Sequence, residues 1–162
     1  MKRFVALAAC TFALALAPSA QQCPFSGITR VSFGTGTGTC AESVLTAELD
    51  TTACRLEFSF EDEPVICGNV FLTQNVLLAG LDPLPQPIAL QAPFTPGSFL
   101  YTLPMQVFGP FNGGNATLPV PPEAGLIGRS LTFQSVPFYF STIPHPGQTE
   151  IGTSTGLTVT LN

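Results

Sequence analysis

Tryptophan is absent from this 162-residue chain, histidine occurs once, and charged residues make up only 9%. Lysine appears at position 2 and nowhere else. Each shortage excludes something. Binding to nucleic acid needs clustered lysine and arginine to displace counterions from phosphate, and Lys2, Arg3, Arg30, Arg55 and Arg129 are the whole basic complement. An anionic membrane surface is excluded as a partner for the same reason. A single histidine, with no lysine beyond position 2, leaves the usual acid–base sets nearly absent. Beyond the N-terminal stretch, no run approaches the ~18 apolar residues that span a bilayer.

What the chain has in quantity is apolar side chains and breakers. Hydrophobic residues make up 45%, with 14 Phe, 16 Pro and 15 Gly. So many phenylalanines and aliphatics argue against disorder, and so many breakers argue against long helices. The length suits one ordinary domain with a core of its own.

The first twenty residues read as an export signal. Met1-Lys2-Arg3 is a short basic start, residues 4–17 form an apolar run too short to cross a bilayer, and Ala17-Pro18-Ser19-Ala20 closes it with small residues. Cleavage is expected after Ala20, which divides the chain into a signal peptide at 1–20 and one domain at 21–162. Leu7-Ala8-Ala9-Cys10 offers a competing lipobox, but the apolar run continues past it. Loss of the signal leaves three arginines against ten acidic residues, a net charge of −7. The protein is expected to be secreted or periplasmic, with an extracellular or cell-envelope partner and no membrane insertion.

Four cysteines then remain: Cys23, Cys40, Cys54 and Cys67. An even count in an exported chain predicts two disulfides; a zinc site would want a close C-x-x-C pair, which is missing. Glu61-Asp62-Glu63-Pro64 has the composition of a hairpin tip. Such a hairpin would place Cys54 opposite Cys67, so the expected pairs are Cys54–Cys67 and Cys23–Cys40.

The dominant period is two, the signature of strands with one buried face. Leu56, Phe58 and Phe60 alternate with Arg55, Glu57 and Ser59, and Leu157, Val159 and Leu161 with Thr158 and Thr160. Leu45, Ala47 and Leu49 repeat the pattern, although residues 41–50 could also turn a helix. Phe99, Tyr101, Leu103, Met105 and Val107 share one parity across Pro104, which predicts an edge or bulged strand. Apolar parity shifts between Leu131/Phe133 and Val136/Phe138/Phe140, predicting a bulge near residues 135–137. Gly-Thr repeats at 34–39 read as a flexible loop. Strands every 10–15 residues, separated by turn residues, predict an all-β, mostly antiparallel sandwich of jelly-roll or immunoglobulin-like type.

The segments Leu118-Pro119-Val120-Pro121-Pro122-Glu123 and Leu126-Ile127-Gly128-Arg129-Ser130-Leu131-Thr132-Phe133-Gln134, with a closing Gly156-Leu157-Thr158-Val159, resemble a C-terminal pattern of small secreted proteins from planctomycete-type bacteria. The resemblance covers about a quarter of the chain. It implies export and a β-sandwich, and it carries no functional residues.

Five patterns could bear chemistry or modification. Gly152-Thr153-Ser154-Thr155-Gly156 fits the G-x-S-x-G elbow of α/β-hydrolases, where the serine sits between strand and helix and the histidine follows it. Here a strand follows and His145 precedes, so a Gly/Ser/Thr turn explains the match better. His145, between Pro144 and Pro146, has no evident orienting partner and reads as an exposed turn residue. The acidic residues 61–63 could hold a weak Ca²⁺ but lack EF-hand spacing. Phe138-Tyr139-Phe140 could offer Tyr139 as an exposed ring, though core packing is the stronger reading. Asn115-Ala116-Thr117 is a glycosylation sequon. No catalytic, cofactor or metal residues are assigned. The expected function is a secreted, non-catalytic structural or binding module. The alternative is a small secreted hydrolase working through paired carboxylates, such as Glu57 with Glu150.

Overall fold

The computed structural model describes residues 22–37, 43–62, 70–141 and 148–162. The expected export signal, Cys40, Cys67, Glu63 and His145 lie outside them. The described strands form two packed antiparallel sheets, an all-β sandwich. The larger sheet orders β1 (Ile28–Phe33), β11 (Gly156–Leu161), β9 (Ser130–Ser141), β4 (Val70–Gly80) and β7 (Gln106–Asn112), with β10 (Gln148–Ile151) also paired to β9. The smaller sheet is β2 (Ser43–Asp50), β3 (Arg55–Asp62) and β8 (Asn115–Pro119). A two-stranded ribbon, β5 (Pro83–Ala89) with β6 (Phe99–Thr102), lies on the outer face of the larger sheet. The only described helix is a 3-10 turn, η1 (Ala124–Leu126).

Alternation decides which side chains fill the core. Leu45 and Ala47 on β2, Leu56, Phe58 and Phe60 on β3, and Leu157, Val159 and Leu161 on β11 are all buried. Residues 43–50 are therefore strand, with Ser43 through Asp50 paired to Asp62 through Arg55. Phe58 and Phe133 meet across the core with ring centroids 4.7 Å apart.

The β2–β3 turn occupies residues 51–54, on the opposite side of β3 from the expected hairpin tip. β3 runs straight through Phe60 and Glu61 to Asp62, because Leu56, Phe58 and Phe60 need an unbroken face to bury. The Asp50 carboxylate builds the turn, accepting the N–H of Thr52 at 2.9 Å and of Ala53 at 3.0 Å. The Ala53 N–H, more than the Thr52 N–H or the Arg55 guanidinium, holds the Asp50 carboxyl below its ordinary pKa.

That turn also corrects the disulfide pairing. Cys54, at φ 50°, bonds to Cys23, with 5.1 Å between the α-carbons. The link fastens the segment before β1 to the start of β3 and so joins the two sheets. It replaces both expected pairs. Sequence spacing favours neighbours within a hairpin, whereas the hairpin partner of β3 is β2 on one side and β8 on the other.

Cover on both faces of β9 removes the expected shift of parity. Residues 132–137 are buried without interruption, so burial there has no parity. β9 itself is regular, and the irregularities sit on its neighbours: at Thr73 of β4, between the Leu72 and Gln74 pairings, and at residues 152–155 between β10 and β11. Tyr139, at 1% exposed, packs in the core as expected, and the exposed ring of this segment is Phe140 at 40%. Finally, the run from Phe99 breaks at Thr102, and Leu103 and Met105 point into solvent around Pro104.

Candidate functional site

The two ends of the sandwich are closed differently. At one end β10 and β11 are a single strand interrupted by a bulge, with residues 152–155 opposite residues 135–137 of β9. Pro137 explains why. It lacks an N–H, and a central strand tolerates proline only where its partner does not need that donor. The bulge turns the Thr153 carbonyl away, to accept the Thr37 N–H at 2.6 Å. Gly152 permits the close approach, since a Cβ there would stand 2.1 Å from the Thr37 carbonyl oxygen.

Hydroxyls complete this end. Ser154 Oγ accepts the Ser135 N–H at 2.8 Å and donates to the Thr155 carbonyl at 2.8 Å. Thr155 Oγ1 accepts the Leu45 N–H at 3.2 Å, and the Thr155 N–H reaches the Ser43 carbonyl at 2.9 Å. Ser43 Oγ and the Tyr139 hydroxyl are 3.1 Å apart. On the outer face, Gln134 Oε1 accepts the Tyr101 N–H while Nε2 donates to the carbonyls of Phe99 and Ser154. The Tyr101 hydroxyl donates to the Thr35 carbonyl at 2.8 Å and accepts the Thr35 N–H at 2.8 Å. Thr35 and Thr37 of the Gly-Thr segment are therefore fastened to the fold.

These contacts give the hydrolase motif a structural role. Ser154 is fully buried, its proton is committed to a carbonyl, and the motif lies between two strands. The glycosidase pair fares no better geometrically. Glu57 faces out of the smaller sheet, bound to the Arg55 guanidinium at 2.7 Å, while Glu150 lies on β10 of the larger sheet. Cys23 and Cys54, joined to each other, are withdrawn from metal binding. Asn115 of the sequon is exposed at the start of β8.

At the other end the sheets part around a partly open cavity of about 820 Å³. Its walls come from both sheets: Leu56 and Leu118 from the smaller, Ala79, Phe133, Val159 and Leu161 from the larger. The crossover from β8 to η1 runs over the end and adds Val120, Pro121 and Leu126. Prolines 119, 121 and 122 cannot donate to a ladder, so this crossover leaves the smaller sheet instead of extending it. It docks on the larger sheet through the Gly128 N–H to the Leu161 carbonyl at 2.8 Å. Three lining residues at the mouth, Leu81, Met105 and Leu131, are 56%, 70% and 41% exposed. Among the described residues two charged ones line it, Asp82 and Arg129.

This cavity is not among the sites that the sequence suggests, yet residues 118–133 supply half of its described lining. A usable signal is present in Leu81-Asp82-Pro83, Leu103-Pro104-Met105 and Leu126-Ile127-Gly128, where large apolar residues sit in turns with no strand face to bury them. No known family model, curated protein or solved structure matches this chain.

Proposed function

We propose that the protein is an exported, non-catalytic binding module whose end cavity holds an apolar chain or a small apolar molecule. The observation that carries this reading is the cavity between the sheets. Its volume lies within the ~300–1,000 Å³ typical of small-molecule sites, which are mostly apolar with a few polar groups to orient the ligand. The exposed side chains of Leu81, Met105 and Leu131 extend the apolar surface outward, as a ligand longer than the cavity would need. Export is supported by the N-terminal signal pattern and by the Cys23–Cys54 disulfide, since such bonds persist in oxidising compartments.

The energetics are adequate. Burying most of a twelve-carbon chain at ~0.8 kcal/mol per methylene, less several kcal/mol for association, leaves a Kd on the order of 100 µM. The test uses a neutral solvatochromic dye displaced by dodecanol from the purified secreted protein. Saturable binding is expected, and Leu131→Glu, which places a charge at the mouth without opening the core, should abolish it while leaving the circular dichroism spectrum unchanged. Absence of saturable binding, or equal binding by the folded variant, overturns the reading.

A further inference from the structure

We infer that the cavity takes a single-chain amphiphile with a zwitterionic head, its phosphate at Arg129 and its ammonium at Asp82. This rests on the cavity reading above and adds the head group to it. Arg30, Arg55 and Arg129 are the only cations beyond the N-terminal signal pattern. Arg30 Nη1 donates to the Ala47 carbonyl at 2.8 Å, and Arg55 binds Asp50 and Glu57. The Arg129 guanidinium has no partner among the described residues, and it is the one that lines the cavity. Among the described residues Asp82 is the only acidic one in the lining, and its carboxylate has no partner there; its main-chain carbonyl is engaged by Thr102 Oγ1.

The two charges lie at the same end of neighbouring strands. Gly80 of β4 pairs with Thr132 of β9; Asp82 follows the first by two residues and Arg129 precedes the second by three. They nevertheless form no ion pair with each other, so both remain available to a ligand. A guanidinium matches phosphate through paired N–H donors, and a carboxylate matches a quaternary or primary ammonium. Net charge separates this ligand from an anionic one. Ten acids against three arginines repel anions at long range, whereas a zwitterion approaches without that penalty. The apolar mouth formed by Leu81, Met105 and Leu131 lies between wall and head, where an amphiphile's chain meets its polar end.

The experiment compares four probes with the same twelve-carbon chain, each below its micelle concentration: dodecylphosphocholine, dodecanoate, dodecyltrimethylammonium and dodecanol. Binding is read by dye displacement on the secreted protein. Dodecylphosphocholine is expected to bind about tenfold tighter than dodecanol, the worth of one charge-assisted contact. Arg129→Gln should lose that advantage for dodecylphosphocholine and leave dodecanol and dodecyltrimethylammonium unchanged. Asp82→Asn should weaken dodecyltrimethylammonium and strengthen dodecanoate. Equal affinities for all four probes, or tightest binding of dodecanoate, overturn the head-group assignment while the cavity reading stands. If no probe displaces the dye, or no dye binds, the cavity reading itself fails.

Discussion

The two ends of the sandwich are built from opposite materials. One is closed by hydroxyls and main-chain groups that hydrogen-bond from sheet to sheet; the other is lined by aliphatic and aromatic side chains and left partly open. The closed end is specified geometrically. A buried donor or acceptor stripped of its partner costs about 1–3 kcal/mol, so Ser154, Thr155, Ser43 and Tyr139 hold the sheets in one register. Apolar contacts at the open end are non-directional, and a wall of Leu, Val and Phe can tolerate a guest in place of a neighbour. The molecule thus keeps its directional bonds at the closed end and its adaptable apolar surface around the cavity.

The strongest way to break this contrast is to remove Gln134. Its amide satisfies the Tyr101 N–H and the carbonyls of Phe99 and Ser154, so Gln134→Ala leaves several buried main-chain groups without partners. A loss of ~3–5 kcal/mol is expected, seen as a lower urea midpoint with an unchanged slope. Replacing Leu118, at the open end, by Ala should cost less, because its side chain is only partly buried. Equal losses at both sites would refute the division of labour.

The second test removes the bond that joins the sheets beside the open end. Cys23 and Cys54 are 31 residues apart, and closing a loop of that length is worth ~3.5 kcal/mol in the chain-entropy model. Cys23→Ser with Cys54→Ser should lower stability by about that amount in thermal and urea unfolding, measured without reductant. A peptide map of the native protein would show Cys23 linked to Cys54. A peptide linking Cys54 to Cys67 would restore the hairpin pairing.

How much of the molecule is legible in the sequence depends on which physical rules are local. The alternation in β3 and β11 marks their buried faces directly, since period-two burial is a property of the strand itself. The breaks around Asp82-Pro83 and Asn112-Gly113-Gly114 also fall where turn chemistry puts them. Which strand lies beside which is not local, and it is not legible. The acidic composition of residues 61–63 points to a turn at that end of β3, while the weaker-looking Asp50-Thr51-Thr52-Ala53 makes the turn through an aspartate side-chain cap. The pairing of Cys54 with Cys67 that rests on the first turn is overturned by the Cys23–Cys54 bond. The burial of Gln134 and Thr132 is equally hidden, because it depends on a distant ribbon covering the second face of β9. The cavity depends on the separation of two sheets, a property no short window of residues encodes.

The finest test lies within the closed end and sets two neighbouring serines against each other. Ser154 and Ser135 are both fully buried, yet only one hydroxyl is used. Ser154 Oγ replaces a main-chain acceptor for the Ser135 N–H, so Ser154→Ala strands a buried donor and should cost ~1–3 kcal/mol. Ser135 Oγ has no hydrogen-bond partner among the described residues, beside Leu77 on the core-facing side of β9. Ser135→Ala removes a buried polar atom that is already unsatisfied, so its cost should be near zero, or the variant slightly more stable. Its main-chain N–H still bonds to Ser154 Oγ, which keeps the bulge intact. Urea unfolding of the two variants under identical conditions measures the difference directly. If Ser135→Ala destabilises as much as Ser154→Ala, the Ser135 hydroxyl has a bonded partner, a buried water or a further side chain, and the contrast between the two serines is void.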